Sequence, residues 1–155
     1  MRPMHAYVMC IAATMIASSC ANTRGQAAGC PLASVVYLRS VPGDEGGRDG
    51  EFMISNSGSR SLRLPVEWGS QRNIHSQYAD SFEKSAEGRE WRVVSPVLAE
   101  VMAWDSSIVI GPGAQATVAY HANGLFDSIP KDGAEYAVEF RDADGCSYRS
   151  TPFTW

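Results

Sequence analysis

Residues 134–141, AEYAVEFR, alternate apolar and charged side chains more regularly than any other part of the chain. The large apolar side chains share one face of an extended segment and the charged ones share the other: Tyr136, Val138 and Phe140 against Glu135, Glu139 and Arg141. A period of two residues is that of a strand with one buried face. This segment is therefore predicted to be a strand with its three large apolar side chains in the core.

Short apolar runs recur along residues 34–155, separated by clusters of Gly, Pro, Asn and Asp. This spacing predicts an all-β fold, an immunoglobulin-like or fibronectin-like antiparallel β-sandwich of about seven to nine strands. Residues 96–104 leave two interpretations open, a strand or one short helix. Further apolar rows expected to face the core are Val36 and Leu38; Phe52 and Ile54; Leu62, Leu64 and Val66; Phe82, Trp91 and Val93; Ile108 and Ile110; and Ala116, Val118 and Tyr120.

The length of the last turn decides which side chains of the final hairpin share a face. A two-residue turn would place Arg149 opposite Phe140, and so put a charge in the core row. A three-residue loop over residues 143–145 instead pairs Phe140 with Tyr148. That loop needs positive φ at its last position, where the sequence has glycine. We therefore predict the three-residue loop, with Cys146 on the core side.

The N-terminus has the pattern of an export signal. Arg2 precedes an apolar segment, residues 7–17, which is too short to span a bilayer. The sequence Ala17-Ser18-Ser19-Cys20 then resembles the bacterial lipobox, in which small residues precede a cysteine that is acylated and becomes the new N-terminus. Ordinary signal cleavage, after Ser19 or Ala21, is the alternative.

The resemblance implies a signal peptide over residues 1–19 and a lipid attached at Cys20. It also implies a location at the periplasmic face of the outer membrane, because Ala21 and not Asp follows the cysteine. The acyl chains of a lipoprotein exceed the two signals that stable anchoring needs. Small, polar, aperiodic residues then predict a flexible tether over residues 20–33, before a single β domain over residues 34–155.

The cysteine count agrees with this interpretation. Cys10 leaves with the signal and Cys20 carries the lipid, so Cys30 and Cys146 remain, and an even pair in an oxidising compartment predicts a disulfide. Removing the first 19 of 155 residues leaves 136, which is enough for one domain. Because Arg2 is lost, 12 Lys and Arg face 17 Asp and Glu, a net charge of −5. This acidic balance argues against nucleic acid as a partner.

The mature chain contains no recognisable catalytic motif, neither a zinc-protease helix, a paired Cys-x-x-Cys, a nucleophile elbow nor a P-loop. We predict no catalytic residue, cofactor or metal. His75 and His121 are the two histidines left after processing, and a small hydrolase with its site at one of them stays open as an alternative. The acidic loop over residues 43–51 similarly leaves open a calcium site or a solvated hairpin loop.

Exposed aromatic side chains mark contact surfaces, and four of the aromatic residues outside the predicted core rows are candidates for a partner-binding surface: Trp68, Trp104, Phe126 and Trp155. We expect a non-enzymatic, membrane-tethered periplasmic binding module that contacts an envelope protein or the cell wall. A narrower version is an inhibitor or immunity protein that blocks a cell-wall hydrolase. A third class is a structural envelope protein that assembles through open sheet edges.

Overall fold

The computed structural model describes residues 29–43, 48–84, 88, 90–94, 106–121 and 134–154. All-β architecture is confirmed, and no helix of the described residues is long and apolar enough to cross a membrane. A 3₁₀ helix (Ser76–Tyr78) precedes the fourth strand. The strands are β1 (Ala33–Pro42), β2 (Arg48–Asn56), β3 (Leu62–Pro65), β4 (Ala79–Lys84), β5 (Arg92–Val93), β6 (Ser107–Ile110), β7 (Gln115–Tyr120), β8 (Glu135–Arg141) and β9 (Ser147–Arg149).

These strands form three antiparallel sheets with the orders β1-β2-β7, β3-β6 and β5-β4-β8-β9. β6 and β7 are consecutive along the chain but belong to different sheets, because the turn between them redirects the chain at Gly113, which has a φ of 72°. The sheets are connected by isolated bridges: Val35 with Ser150, Asn73 with Ala119, and Val66 with Ile74. The described strands therefore enclose one continuous core.

Phe52 lies at the centre of this core. Its ring is fully buried and meets Tyr37, Phe140 and Phe153 edge-on, with centroid distances of 5.5, 5.3 and 5.9 Å. Edge-to-face contacts of this kind add to the stabilisation that burial itself provides. The core rows predicted in β2, β3, β6, β7 and β8 are confirmed, with Ile108 and Ala116 half-buried against the same cluster.

The row predicted for β1 is wrong. Val35 and Tyr37 face the core, whereas Val36 is only half-buried and Leu38 is exposed. Tyr37 pairs with Phe52 and Arg39 pairs with Glu51, so Leu38 is an extra residue in a β-bulge. The run of four apolar residues from Val35 to Leu38 contains no polar side chain to fix the alternation.

The row predicted around β4 and β5 is also wrong. Phe82 and Trp91 are half-buried and Val93 is exposed, and the ring of Phe82 lies under the Arg149 guanidinium, 4.0 Å from its centroid. The inward positions belong to Ala79, Ser81 and Glu83, which lie opposite the bulky inward side chains of β8. Because Phe140 and Val138 already fill the space, small partners pack better there.

The final hairpin has the predicted three-residue loop. Phe140 pairs with Tyr148, and Gly145 has a φ of 82°. Asp142 is buried and accepts hydrogen bonds from the backbone N–H of Asp144 and of Cys146 and from the Tyr148 hydroxyl. Burial, together with this hydrogen bond, raises the pKa of Tyr148 well above its usual value, so the phenol keeps the proton that it donates.

A disulfide joins Cys30 to Cys146, as the cysteine count predicts. The chain just before β1 is thereby held against the start of β9. Leu32 is held at a second place, the turn that follows β2, because its carbonyl accepts hydrogen bonds from the backbone N–H groups of Ser57 and Gly58. Gly58 leaves room for this approach, because a Cβ at its position would lie 2.7 Å from the Leu32 nitrogen. The last residues of the predicted tether thus contact the domain.

Candidate functional site

Five charged or titratable side chains meet on the outer face of the β1-β2-β7 sheet. We call this set the charged face: Arg39, Asp49, Glu51, Arg72 and His121. Arg39 belongs to β1, Asp49 and Glu51 belong to β2, Arg72 lies in a loop, and His121 directly follows β7. Alternation along β2 places Asp49 and Glu51 on the same side, opposite the buried Phe52. The loop predicted over residues 43–51 is corrected here, because Asp49 and Glu51 belong to β2 and are buried; residues 44–47 lie outside the described part.

The β-bulge at Leu38 gives Arg39 its direction. Without the extra residue, Arg39 would share a face with Tyr37 two positions earlier and would point into the core. The bulge reverses that alternation and places Arg39 beside Glu51, with 2.8 Å between Arg39 Nε and Glu51 Oε2. Bulges next to functional sites commonly redirect a side chain in this way.

Glu51 connects two arginines. Besides Arg39, it faces Arg72, with 3.8 Å between Glu51 Oε1 and Arg72 Nη1. The carboxylate is almost completely buried, while both guanidinium groups reach solvent. The buried carboxylate therefore helps to orient the two exposed guanidinium groups.

Asp49 and His121 form the second contact of the charged face. Gly50 pairs with Tyr120 in the β2–β7 ladder, so Asp49 lies opposite His121, and Asp49 Oδ1 is 2.9 Å from His121 Nδ1. The Asp49 side chain is 2% exposed and that of His121 is 37% exposed. A carboxylate only accepts hydrogen bonds, so Nδ1 carries the hydrogen and Nε2 of a neutral ring is left as an acceptor. A buried aspartate that orients a half-exposed imidazole is an arrangement that general-base catalysis also uses.

His75, the other candidate histidine, has a structural role. Its Nδ1 accepts a hydrogen bond from the backbone N–H of Gln77, at 3.3 Å, at the start of the 3₁₀ helix. Its backbone N–H donates to the Pro65 carbonyl, which fixes the chain between β3 and β4.

Trp68 lies at the tip of a loop over residues 67–73 and is 85% exposed. We call this segment the Trp68 loop. Gly69 takes a positive φ of 73°, the Ser70 N–H donates to the Glu67 carbonyl, and the Ser70 hydroxyl accepts from the N–H groups of Arg72 and Asn73. The loop closes on itself through the hydrogen bond from Glu67 N–H to the Asn73 carbonyl. An exposed indole is therefore presented on a hydrogen-bonded support.

The Trp68 loop is connected directly to the charged face. The Arg72 carbonyl accepts a hydrogen bond from the Ala119 N–H, which fastens the loop to the free side of β7, and the Arg72 side chain reaches Glu51 across that strand. Trp104, Phe126 and Trp155, the other predicted contact residues, lie outside the described residues, as do residues 96–104. Among the described residues, no three His, Cys, Asp or Glu side chains come together as metal ligands.

Sequence reasoning identified Trp68 but missed the charged face. Its five members are spread from residue 39 to residue 121, and they meet only through the register of three strands and one bulge. The signal that was available is the alternation Asp49-Gly50-Glu51-Phe52, in which two acids share a face opposite a core residue.

Comparisons with known proteins do not identify a family. No family model matches the chain, and no curated protein matches it. One solved structure that resembles it is described as "X-ray structure of Northeast Structural Genomics Consortium target SoR45", with 13% sequence identity over 79% of this chain and 81% of that chain. The TM-score of 0.29 is too low for this likeness to carry an argument about fold or function.

Proposed function

We propose that this protein is a non-enzymatic, membrane-tethered binding module of the bacterial periplasm, which contacts an envelope protein or the cell wall through the Trp68 loop. The observation that carries the proposal is the 85% exposure of Trp68 on a loop held by its own hydrogen bonds. Exposing a large aromatic side chain to water is unfavourable, and Trp is among the residues most enriched at binding hot spots. A support that is already ordered loses little entropy on binding.

The disulfide between Cys30 and Cys146 supports the proposed compartment. Disulfides persist in the periplasm and are rare in the cytosol. With Cys30 and Cys146 joined, the lipobox-like Cys20 is left to carry the lipid. We include in this proposal the immunoglobulin-like arrangement predicted from the strand pattern, since such sandwiches host many unrelated binding functions.

The test is site-specific crosslinking in the native envelope. A photoreactive residue at Gln71, which is exposed in the same loop as Trp68, is expected to crosslink to a partner, and Trp68→Ala in the same chain is expected to abolish that product. A photoreactive residue at Val109, an exposed position in β6, is the matched control and should give no specific product. The Cys20→Ser variant controls for location, because loss of the acyl chains should release the protein from the membrane fraction.

Two outcomes would contradict the proposal. One is a set of products from position 71 that persists unchanged in the Trp68→Ala variant. The other is the absence of any product at position 71 in envelopes that contain the correctly anchored protein. An inhibitor or immunity protein, the narrower version, requires the captured partner to be a cell-wall hydrolase.

The His121–Asp49 pair favours a second candidate, a small hydrolase in which His121 acts as general base. Purified protein would then degrade isolated cell wall, and His121→Ala would lower the rate by a factor of about 100 or more. The matched control is His75→Ala, at the histidine that caps the 3₁₀ helix. Equal release of soluble fragments by the wild type and the His121→Ala variant would remove this candidate.

A further inference from the structure

We infer that the ligand of the Trp68 loop is a sugar ring of the cell-wall glycan, with Trp68 as the stacking surface and Gln71 and Arg72 as hydrogen-bonding groups at its rim. This inference rests on the proposed binding function and names the chemical class of the partner.

The residues around Trp68 in the loop indicate what kind of ligand its side chain can bind. The residues that follow it in the loop are polar or lack a side chain, and Gly69, Gln71 and Arg72 are exposed. Within the described residues, the other exposed large apolar side chains lie on different segments: Leu32, Leu38, Val93, Val94 and Val109. Trp68 is therefore a single aromatic surface within a polar loop.

This setting fits a sugar better than it fits a protein surface. A hot-spot tryptophan in a protein interface is usually enclosed by other contacts that exclude water, whereas the residues adjoining Trp68 in the loop are polar or lack a side chain. A pyranose ring has one apolar face of C–H groups and a rim of hydroxyl groups. It buries the face on an aromatic ring and exchanges hydrogen bonds with planar polar side chains at the edge.

The charged face holds Arg72, one of the proposed hydrogen-bonding groups, in position. Arg72 lies at the end of the Trp68 loop, and the buried Glu51 carboxylate faces its guanidinium group at 3.8 Å. The backbone of Arg72 is fixed at the same time by the hydrogen bond from Ala119 N–H to its carbonyl. Both the side chain and the backbone of Arg72 are thus held before any ligand arrives, which reduces the entropy lost when this arginine binds a hydroxyl group.

The test uses the full chain, purified in detergent, and two probes: purified peptidoglycan sacculi in a sedimentation assay and soluble N-acetylglucosamine oligomers in a calorimetric titration, which needs no fluorescent side chain at the site. Trp68→Ala is expected to weaken binding to both by about tenfold or more, and Trp68→Phe to retain most of it, since a smaller ring still stacks. Gln71→Ala should give an intermediate loss. Val109→Ala is the matched control and should bind like the wild type. Equal melting temperatures of all variants exclude unfolding as the cause.

The outcomes separate this inference from the proposed function. Undiminished binding of sacculi by Trp68→Ala overturns the assignment of the sugar to this loop. Failure of the wild type to bind either probe, combined with a Trp68-dependent protein crosslink at position 71, overturns the sugar ligand and retains the binding module. Failure of both experiments overturns both.

Discussion

Loss of the Cys30–Cys146 disulfide is expected to lower the free energy of unfolding by about 4 to 5 kcal/mol. The bond closes a loop with a sequence separation of 116, and in the chain-entropy model a crosslink of that length restricts the unfolded chain strongly. A domain of ordinary stability has only about 5 to 15 kcal/mol in total. The reduced domain should therefore be close to the limit at which it remains folded.

Urea unfolding of the wild type and of a Cys30→Ala/Cys146→Ala variant measures this effect. Urea unfolding of the wild type under reducing conditions is a second, independent measurement. The double variant leaves no unpaired thiol at either position, so thiol exchange does not complicate the result. A decrease in the free energy of unfolding below about 1 kcal/mol would contradict this expectation. It would show that the disulfide adds little to the hydrogen bonds that already hold Leu32 against the domain.

Asp142→Ala is expected to lower the free energy of unfolding by about 3 to 4 kcal/mol. The Asp142 carboxylate is buried and accepts hydrogen bonds of 2.9, 2.8 and 2.8 Å from Asp144 N–H, Cys146 N–H and the Tyr148 hydroxyl. The variant leaves the Cys146 N–H and the Tyr148 hydroxyl buried without their acceptor, and each unsatisfied donor is destabilising. Denaturant unfolding at neutral pH measures the change.

The matched control is Asp144→Ala, in the same loop. Within the described part of the chain, the Asp144 side chain forms an exposed ion pair with Arg63, at 3.3 Å, and loss of such a pair changes stability by less than about 1 kcal/mol. A Tyr148→Phe variant separates the contribution of one donor, because it removes the hydroxyl and keeps the ring. Equal stabilities of the Asp142→Ala and Asp144→Ala variants would contradict the role assigned to the buried carboxylate.

The last hairpin was predictable from sequence because a single constraint decided it. Of the two turn lengths compared, only the three-residue loop keeps Arg149 out of the core row, and glycine stands at the one position of that loop that requires positive φ. Local chemistry and the core pattern agree there. Strands β3 and β8 were predictable for a related reason, since charged residues lie on the face opposite their apolar rows.

Two rows could not be predicted because the deciding information is not local. In β1, a bulge shifts the alternation in the middle of an uninterrupted apolar run. In β4, the large side chain of Phe82 suggested the inward face, but the opposing strand already supplies large inward side chains and leaves room for Ser81. The ring of Phe82 packs outside instead, under Arg149.

The candidate site divides in the same way. Trp68 could be identified because a bulky aromatic residue next to glycine in a polar stretch is visible in the sequence alone. The charged face could not, because Arg39 reaches Glu51 only after the bulge and Arg72 approaches from a loop fastened beside β7. Long-range pairing of this kind follows from the folded register.

The covalent bond between Cys30 and Cys146 also determines how mechanical load enters the domain. In the tethered arrangement proposed above, a pull on the N-terminal segment reaches Cys30 and is transmitted through the disulfide to the start of β9. Such a force therefore cannot separate β1 from β2 by breaking one hydrogen bond after another from the first residue of β1. The disulfide therefore makes the domain resistant to force applied at its N-terminal side.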